Sequence, residues 1–203
     1  MIVPRKSFDE KYKKCRLKIR DVDFSQKAAI LGADLKQGAL SFDFFNRRIV
    51  FSTDGFGAVD GEPLTVAVML ALCRYLAMCP EKSVESTGRL ITFRELSGSG
   101  PLFSSFTANT NKIIESAFAG SLESLRSRCR ELGGIDAEMP SFDLSMQFSA
   151  FPRIPIMLNF NDTDDLMPAT ANFLYHDNAD RYLDIECLMI TCTYLTGQLI
   201  QGR

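Results

Sequence analysis

The densest group of metal-ligating side chains lies near the C-terminal end of the chain. Carboxylates stand at Asp162, Asp164 and Asp165, and His176 follows eleven residues after the last of them. Carboxylate and imidazole groups bind divalent metals, and a bound metal lowers the pKa of water enough to make it a nucleophile. The group therefore indicates a metal site, and a metal-dependent hydrolase is one function that the sequence leaves open.

The spacing of the same residues supports a second interpretation. Ala169–Tyr175 has the pattern of a strand, and such a strand would place its two ends about 20 Å apart. One metal could then bind both the loop carboxylates and His176 only if neighbouring strands were offset or bulged. A calcium loop would need glycine and glutamate where Met167 and Phe173 stand. The alternative is a solvated acidic turn in which the aspartates form Asx turns.

Nucleophilic catalysis would have to depend on His176, which is the only histidine. Asp177 follows it, but no GxSxG or HExxH motif surrounds the pair, and none of the six cysteines has a recognisable nucleophile context. A catalytic role for His176 and a plain hydrogen bond at a strand end both remain open.

A loop of serine and glycine offers a third kind of chemistry. The predicted strand Leu90–Arg94 leads through this loop into a helix that starts at Pro101. This order is typical of sites where backbone N–H groups at a helix start bind a phosphate or carboxylate. Arg153, which stands between two prolines in a stiff segment, is a further candidate cation. The predicted anion or cofactor site comprises Arg94, Glu95, Ser97, Gly98, Ser99, Gly100 and Arg153. A plain turn is the alternative, because the loop matches neither the P-loop nor the GxGxxG motif.

Composition limits the function classes. The 203 residues are 46% hydrophobic and 24% charged, close to the averages of globular proteins, and the net charge of −2 does not by itself point to nucleic acid. The longest apolar run, about Val66–Cys73, is too short to cross a membrane, and the N-terminus has no apolar signal segment. The six cysteines form no CxxC pair. We therefore expect a reduced, cytoplasmic protein without nucleic-acid or membrane partners.

Charge is divided unevenly along the chain. Residues 1–48 hold 12 Lys and Arg against 6 Asp and Glu, whereas residues 155–203 hold 2 against 7. These two ends could attract each other within the fold or between copies, or could be two solvated faces. A homo-oligomer is therefore among the expected partners, beside a small anionic ligand.

The elements predicted from periodicity indicate one α+β domain over residues 1–203, with a mostly antiparallel sheet packed against helices. An apolar stripe predicts an N-terminal helix: Phe8, Tyr12, Cys15 and Ile19. A second helix ends at Gly32, and a hairpin turns at Asn46-Arg47. Further helices are predicted for 63–78, 101–119 with a polar break at 109–111, 121–132 and 184–200. Further strands are predicted for 88–96, 142–150, 154–160 and 169–175.

Four segments together resemble a bacterial and archaeal family catalogued as a domain of unknown function. They are FFNRRIVF at Phe44–Phe51, TFREL at Thr92–Leu96, FPRIPIMLNF at Phe151–Phe160 and DTDDLMPATANFLYHDNADRYLDIECL at Asp162–Leu188. The resemblance runs from about residue 20 to the end and is most specific in the last segment. It implies a domain that is common in anaerobes and sometimes adjoins an iron–sulfur domain of corrinoid one-carbon proteins.

The resemblance supplies no activity and no catalytic residues, but it implies a recurring pattern at Arg94, Glu95, Arg153, Asp164, Asp165, Pro168 and Ala169. We therefore expect a non-catalytic module that binds a small anion or cofactor, accessory to anaerobic one-carbon or metallocofactor metabolism. The alternatives are the metal-dependent hydrolase and a structural protein that dimerises.

Overall fold

Two antiparallel sheets and the helices packed on them form the structure, a computed structural model that describes residues 5–201. The helices are α1 (Arg5–Ile19), α2 (Lys27–Leu31), α3 (Val66–Ala77), α4 (Gly100–Asn109), α5 (Asn111–Phe118), α6 (Leu122–Glu131) and α7 (Ile185–Ile200). The strands are β1 (Asp34–Lys36), β2 (Ala39–Phe44), β3 (Arg47–Ser52), β4 (Gly55–Ala58), β5 (Leu90–Thr92), β6 (Ile135–Asp136), β7 (Leu144–Phe151), β8 (Ile154–Asn161) and β9 (Thr170–His176). The predicted α+β class with antiparallel pairing is confirmed.

The smaller sheet is a meander in the order β1-β2-β3-β4. Its central hairpin is the predicted one, but the turn residues are Phe45 and Asn46, with Phe45 at φ 52°. The Phe45 N–H donates to the Ala150 carbonyl at 3.1 Å and so joins the meander to the larger sheet. The edge strands β1 and β4 were not predicted, because they are short and carry few β-branched residues.

The larger sheet has the order β5-β9-β8-β7-β6 and is antiparallel throughout. β9 returns along β8 with Leu158 opposite Phe173, as the sequence predicts. Side chains on one face of these strands, among them Leu158 and Phe173, are buried. The helices cover this face, and α7 lies against it, with the Tyr175 hydroxyl donating to the Leu188 carbonyl at 3.1 Å.

α1 packs on α3 through the predicted apolar stripe. Cys15 and Ile19 are buried, and Phe8 and Tyr12 are half-buried against the same core. Lys11 forms an ion pair with Glu186 of α7 at 2.6 Å, which ties α1 to the centre of the fold. These contacts fix α1, and the helix face beside the apolar stripe is turned toward the meander.

Two predicted elements are shorter than expected. α3 begins at Val66 rather than Pro63, because the Thr65 hydroxyl accepts the Val68 N–H and caps the helix there. The strand predicted for 88–96 ends at Thr92, because the Glu95 carboxylate accepts the Thr92 N–H at 2.8 Å and closes a 3₁₀ turn over Phe93–Glu95. Between residues 5 and 201, no helix is long and apolar enough to cross a membrane.

Candidate functional site

The predicted anion loop lies between the 3₁₀ turn and α4. Gly98 has a φ of 77°, and the Ser99 hydroxyl donates to the Arg94 carbonyl at 2.9 Å. The start of α4 offers an anion few donors, because Pro101 lacks an N–H and the Leu102 N–H already donates to Ser99. The Glu95 carboxylate accepts hydrogen bonds from the Thr92 N–H and from Arg89, so its negative charge lies in the same turn.

The two arginines proposed for that site have separate surroundings. Arg94 is exposed and lies over the Phe103 ring, 5.5 Å from its centroid. Arg153 lies in the β7–β8 turn and donates to the carbonyls of Ile30 and Ala29, both at 2.9 Å. Arg153 therefore caps the end of α2, and its guanidinium is occupied by backbone acceptors.

The predicted metal ligands make protein contacts of a different kind. Asp162 accepts the Gly120 N–H at 2.6 Å, and Asp164 accepts the N–H groups of Leu166 and Met167 at 2.8 and 2.7 Å. These hydrogen bonds to Leu166 and Met167 lower the pKa of Asp164. The aspartates form the Asx-type turn that was the alternative to a metal site. Asp165 is exposed beside them.

His176 lies at the other end of β9, beside Ser86, a residue that the sequence does not single out. Ser86 Oγ is 3.1 Å from His176 Nδ1 and donates to Asp177 Oδ1 at 2.6 Å. Serine, histidine and aspartate, the residue types of a hydrolase triad, therefore meet, but their hydrogen bonds do not follow the order of a triad. The serine proton goes to the carboxylate rather than to the imidazole, so this cluster holds the 83–88 segment and does not activate a nucleophile.

Two kinds of reactive centre are not found in the part of the chain that the structure describes. No three His, Cys, Asp or Glu side chains within residues 5–201 gather closely enough to hold a metal ion. All six cysteines are free, and burial raises the pKa of both Cys129 and Cys192 to about 12. Such thiols stay protonated at neutral pH and are poor nucleophiles. A hydrogen bond with Cys73 lowers the pKa of Cys15, but the Cys15 side chain is buried and out of reach of a substrate.

A groove of about 1080 Å³ opens between α1 and the meander. α1 forms one wall, residues 20–24 close one end, and β1, β2, β3 and the first turn of α3 complete it. Phe24 and Phe51 meet edge to face, with ring centroids 5.9 Å apart. The groove reaches the upper end of the usual size of ligand pockets, and its surface is mostly apolar. Apolar lining residues include Val22, Phe24, Leu40, Phe51, Val66 and Met69.

Arg16 places a cation in the wall of this groove. Its Nη2 donates to the Thr53 carbonyl at 3.0 Å, and its guanidinium lies against Gly55. A Cβ at Gly55 would be 2.8 Å from Arg16 Nη1, so glycine makes this approach possible. Within residues 5–201 no carboxylate forms a salt bridge with Arg16. The half-buried guanidinium therefore keeps N–H donors for a ligand.

Other groups along the groove add charge of both signs. Lys13 and Arg20 lie on the same side of α1 as Arg16 and are exposed. Burial raises the pKa of the adjacent Tyr12, and the Arg16 guanidinium opposes that rise. The Asp23 carboxylate accepts the N–H and the hydroxyl of Ser25, both at 2.9 Å, and these bonds lower its pKa. Two further aspartates line the groove, Asp9 and Asp21.

Sequence reasoning did not find the groove. Lys13, Arg16 and Arg20 follow the spacing i, i+3, i+7 and share one side of α1, which is a signal that the sequence contains. That signal is shared by any solvated helix face. The opposite wall comes from strands that follow α1 by fifteen residues or more, so the concavity exists only once the meander packs beside the helix.

Comparison with known proteins gives one match. A family model described as a domain of unknown function, DUF3786, matches residues 23–198. No curated protein and no solved structure matches the chain. The matched residues include the floor of the groove, whereas α1 and the groove residues Lys13, Arg16 and Arg20 precede them.

Proposed function

The chain belongs to the DUF3786 family, a domain of unknown function, and from its geometry we propose that it is a non-catalytic module that binds an amphipathic organic anion. The apolar body of the ligand lies in the groove between α1 and the meander. Its carboxylate or phosphate is bound by Arg16, with Lys13 and Arg20 at the rim. This proposal keeps the expected ligand class and moves the site away from the Ser97–Gly100 loop.

One observation carries the proposal: a half-buried arginine that forms no salt bridge with any residue between 5 and 201 is set into a large apolar groove. A guanidinium that is partly desolvated gains more from an anion than one in bulk water. The neighbouring Phe24 and Phe51 rings provide a rigid apolar floor that does not need to order on binding. A ligand with only an apolar part or only a charge would use half of this surface.

Binding is favoured over catalysis by the state of the candidate catalytic groups. The Ser86 hydroxyl donates to Asp177 and leaves His176 without a nucleophile to deprotonate. The hydrolase alternative, with Asp162–Asp165 as metal ligands, has no observation in its favour, because Asp162 and Asp164 each accept two backbone N–H groups.

The test uses dansylaminoundecanoate, a fluorescent carboxylate with an apolar chain, and its uncharged methyl ester. We expect wild-type protein to bind the carboxylate more tightly than the ester. Arg16→Met should weaken carboxylate binding about 10-fold, as expected for a charged hydrogen bond of roughly 1.5 kcal/mol. It should leave ester binding unchanged, because the apolar lining is intact.

The matched control is Arg181→Met, which removes an exposed arginine that does not line the groove. Circular dichroism and thermal melting should show that both variants fold. Equal loss of carboxylate binding in both variants, or equal affinity of wild type for carboxylate and ester, would contradict the proposal.

From the resemblance alone we also propose that the natural ligand belongs to anaerobic one-carbon or metallocofactor metabolism. A pterin carboxylate or a corrinoid carboxylate is then expected to displace the bound probe at lower concentration than dodecanoate does. Displacement by dodecanoate alone would contradict this assignment and leave the groove itself supported.

A further inference from the structure

The acidic turn after β8 presents two exposed apolar side chains. This knob comprises residues 162–168, and within it Leu166 and Met167 are 90% and 61% exposed. Leu166 is the most exposed of the large apolar residues that the structure describes. Asp164 and Asp165 flank the two side chains, so the knob is both apolar and acidic.

Hydrogen bonds fix the knob with these side chains pointing outward. Asp164 Oδ1 accepts the N–H groups of Leu166 and Met167, and the Asp164 N–H donates to the Met167 carbonyl at 3.0 Å. Asp162 ties the base of the knob to the N–H of Gly120. The exposed side chains are therefore preorganised, which lowers the entropy that a partner must remove.

A surface of the opposite charge lies on the outward face of α1. Lys14, Leu17 and Lys18 share this face and are exposed, and Leu17 is 70% exposed. Neither lysine forms an ion pair with any residue between 5 and 201. The outward face of α1 thus combines an exposed leucine with unpaired cations, which complements the knob in both properties.

We propose that the knob of one copy of this chain docks on the outward face of α1 in another copy. Leu166 and Met167 pack against Leu17, and the knob carboxylates lie beside Lys14 and Lys18. Both surfaces are exposed in the same molecule, so they do not satisfy each other within one chain. This inference goes beyond the proposed ligand of the groove, although Leu17 belongs to the rim of that groove as well.

The geometry of such a contact has a definite consequence. The knob and the α1 face are different surfaces, so the contact is heterologous and copies join head to tail into chains or rings. Few side chains take part, so the contact belongs to the small, transient class of interfaces. Opposite charges make it sensitive to salt, since the screening length falls from about 30 Å at 0.01 M to about 3 Å at 1 M.

Sedimentation velocity at high protein concentration tests the proposal with two variants. Leu166→Ser/Met167→Ser removes both apolar side chains of the knob without adding charge, and Lys14→Glu/Lys18→Glu reverses the charge of the α1 face without changing a residue that lines the groove. Wild type is expected to associate at low salt and to dissociate at high salt. Each variant alone is expected to be monomeric. A mixture of the two keeps one intact knob and one intact α1 face, so it should form particles of two chains and nothing larger.

Three outcomes would overturn the inference: wild type monomeric at low salt, variants that associate as wild type does, or a mixture that holds only monomers. Circular dichroism checks the fold of both variants. Binding of dansylaminoundecanoate to the same variants should match wild type, so that a failure of docking is distinguished from a failure of the groove.

Discussion

At the scale of single residues, the role of each arginine depends on the groups that its guanidinium contacts. The Arg153 guanidinium donates to the carbonyls that end α2, and the Arg47 guanidinium donates to Asp60 and to the Glu62 carbonyl. Arg16 has one backbone acceptor and no carboxylate within residues 5–201. Arg94 forms no salt bridge within those residues either, so the position of Arg16 in the wall of the apolar groove is the reason that Arg16 carries the proposed ligand contact.

The Arg47–Asp60 ion pair makes the stability of the meander depend on pH in the acidic range. Hydrogen bonds from Arg47, and then from the Glu62 N–H, lower the pKa of Asp60 from its usual 3.8 to about 2. A depressed pKa stabilises the fold above the pKa of the unfolded chain, and the contribution is lost as the pH falls through the folded value. We expect Asp60→Asn to lower the melting temperature at neutral pH and to lower it progressively less as the pH falls from about 4 to about 2.

The control for this titration is Asp54→Asn in the same sheet, whose carboxylate accepts no hydrogen bond from the residues that the structure describes. Its effect on the melting temperature should be small at every pH. By the same linkage, the lowered pKa of Asp60 would be contradicted if the melting temperatures of Asp60→Asn and wild type differed by the same amount at neutral and acidic pH.

At the scale of elements, the close approach of α2 to the β7–β8 turn is set by glycine. Gly32 ends α2 with a φ of 67°, and a Cβ there would lie 2.8 Å from Pro152 Cβ. Gly38 has a similar φ of 79° but nothing within 4 Å of its Cβ position. The two positions therefore separate backbone strain from steric contact.

We expect Gly38→Ala to lower the free energy of unfolding by about 1–2 kcal/mol through backbone strain alone. Gly32→Ala should cost about 1–3 kcal/mol more, because the added methyl group must displace the turn that carries Pro152 and Arg153. Urea denaturation of both variants measures the difference. Equal costs at the two positions would show that α2 is not held against the turn as described.

The sequence predicts elements whose signals are local and fails where a signal depends on contacts. The stripe of α1 and the Gly32 end of α2 are recognisable from residue type and spacing, and both are confirmed. The strand predicted for 88–96 is wrong beyond Thr92, because the Glu95 side chain closes a turn that the β-favouring residues do not reveal. The groove could not be predicted from the sequence, since its walls come from segments that are distant from each other along the chain.

At the scale of the whole molecule, the uneven charge is only partly neutralised within the chain. Lys11 pairs with Glu186, which joins the basic N-terminal part to the acidic C-terminal part as one interpretation of the sequence expects. Arg47 and Arg48 instead pair with aspartates inside the first sixty residues. The α1 face and the knob are among the charged surfaces that remain exposed, and they are the surfaces assigned to contact between copies.

The central claim is that the groove, not the Ser97–Gly100 loop, binds the anion. Mapping of backbone amide chemical shifts during titration with dodecanoate tests it most directly. We expect shifts centred on Tyr12, Arg16, Phe24 and Phe51, with the amides of Ser97, Gly98 and Gly100 unchanged. Shifts centred on the Ser97–Gly100 loop, or no shifts at all, would contradict it.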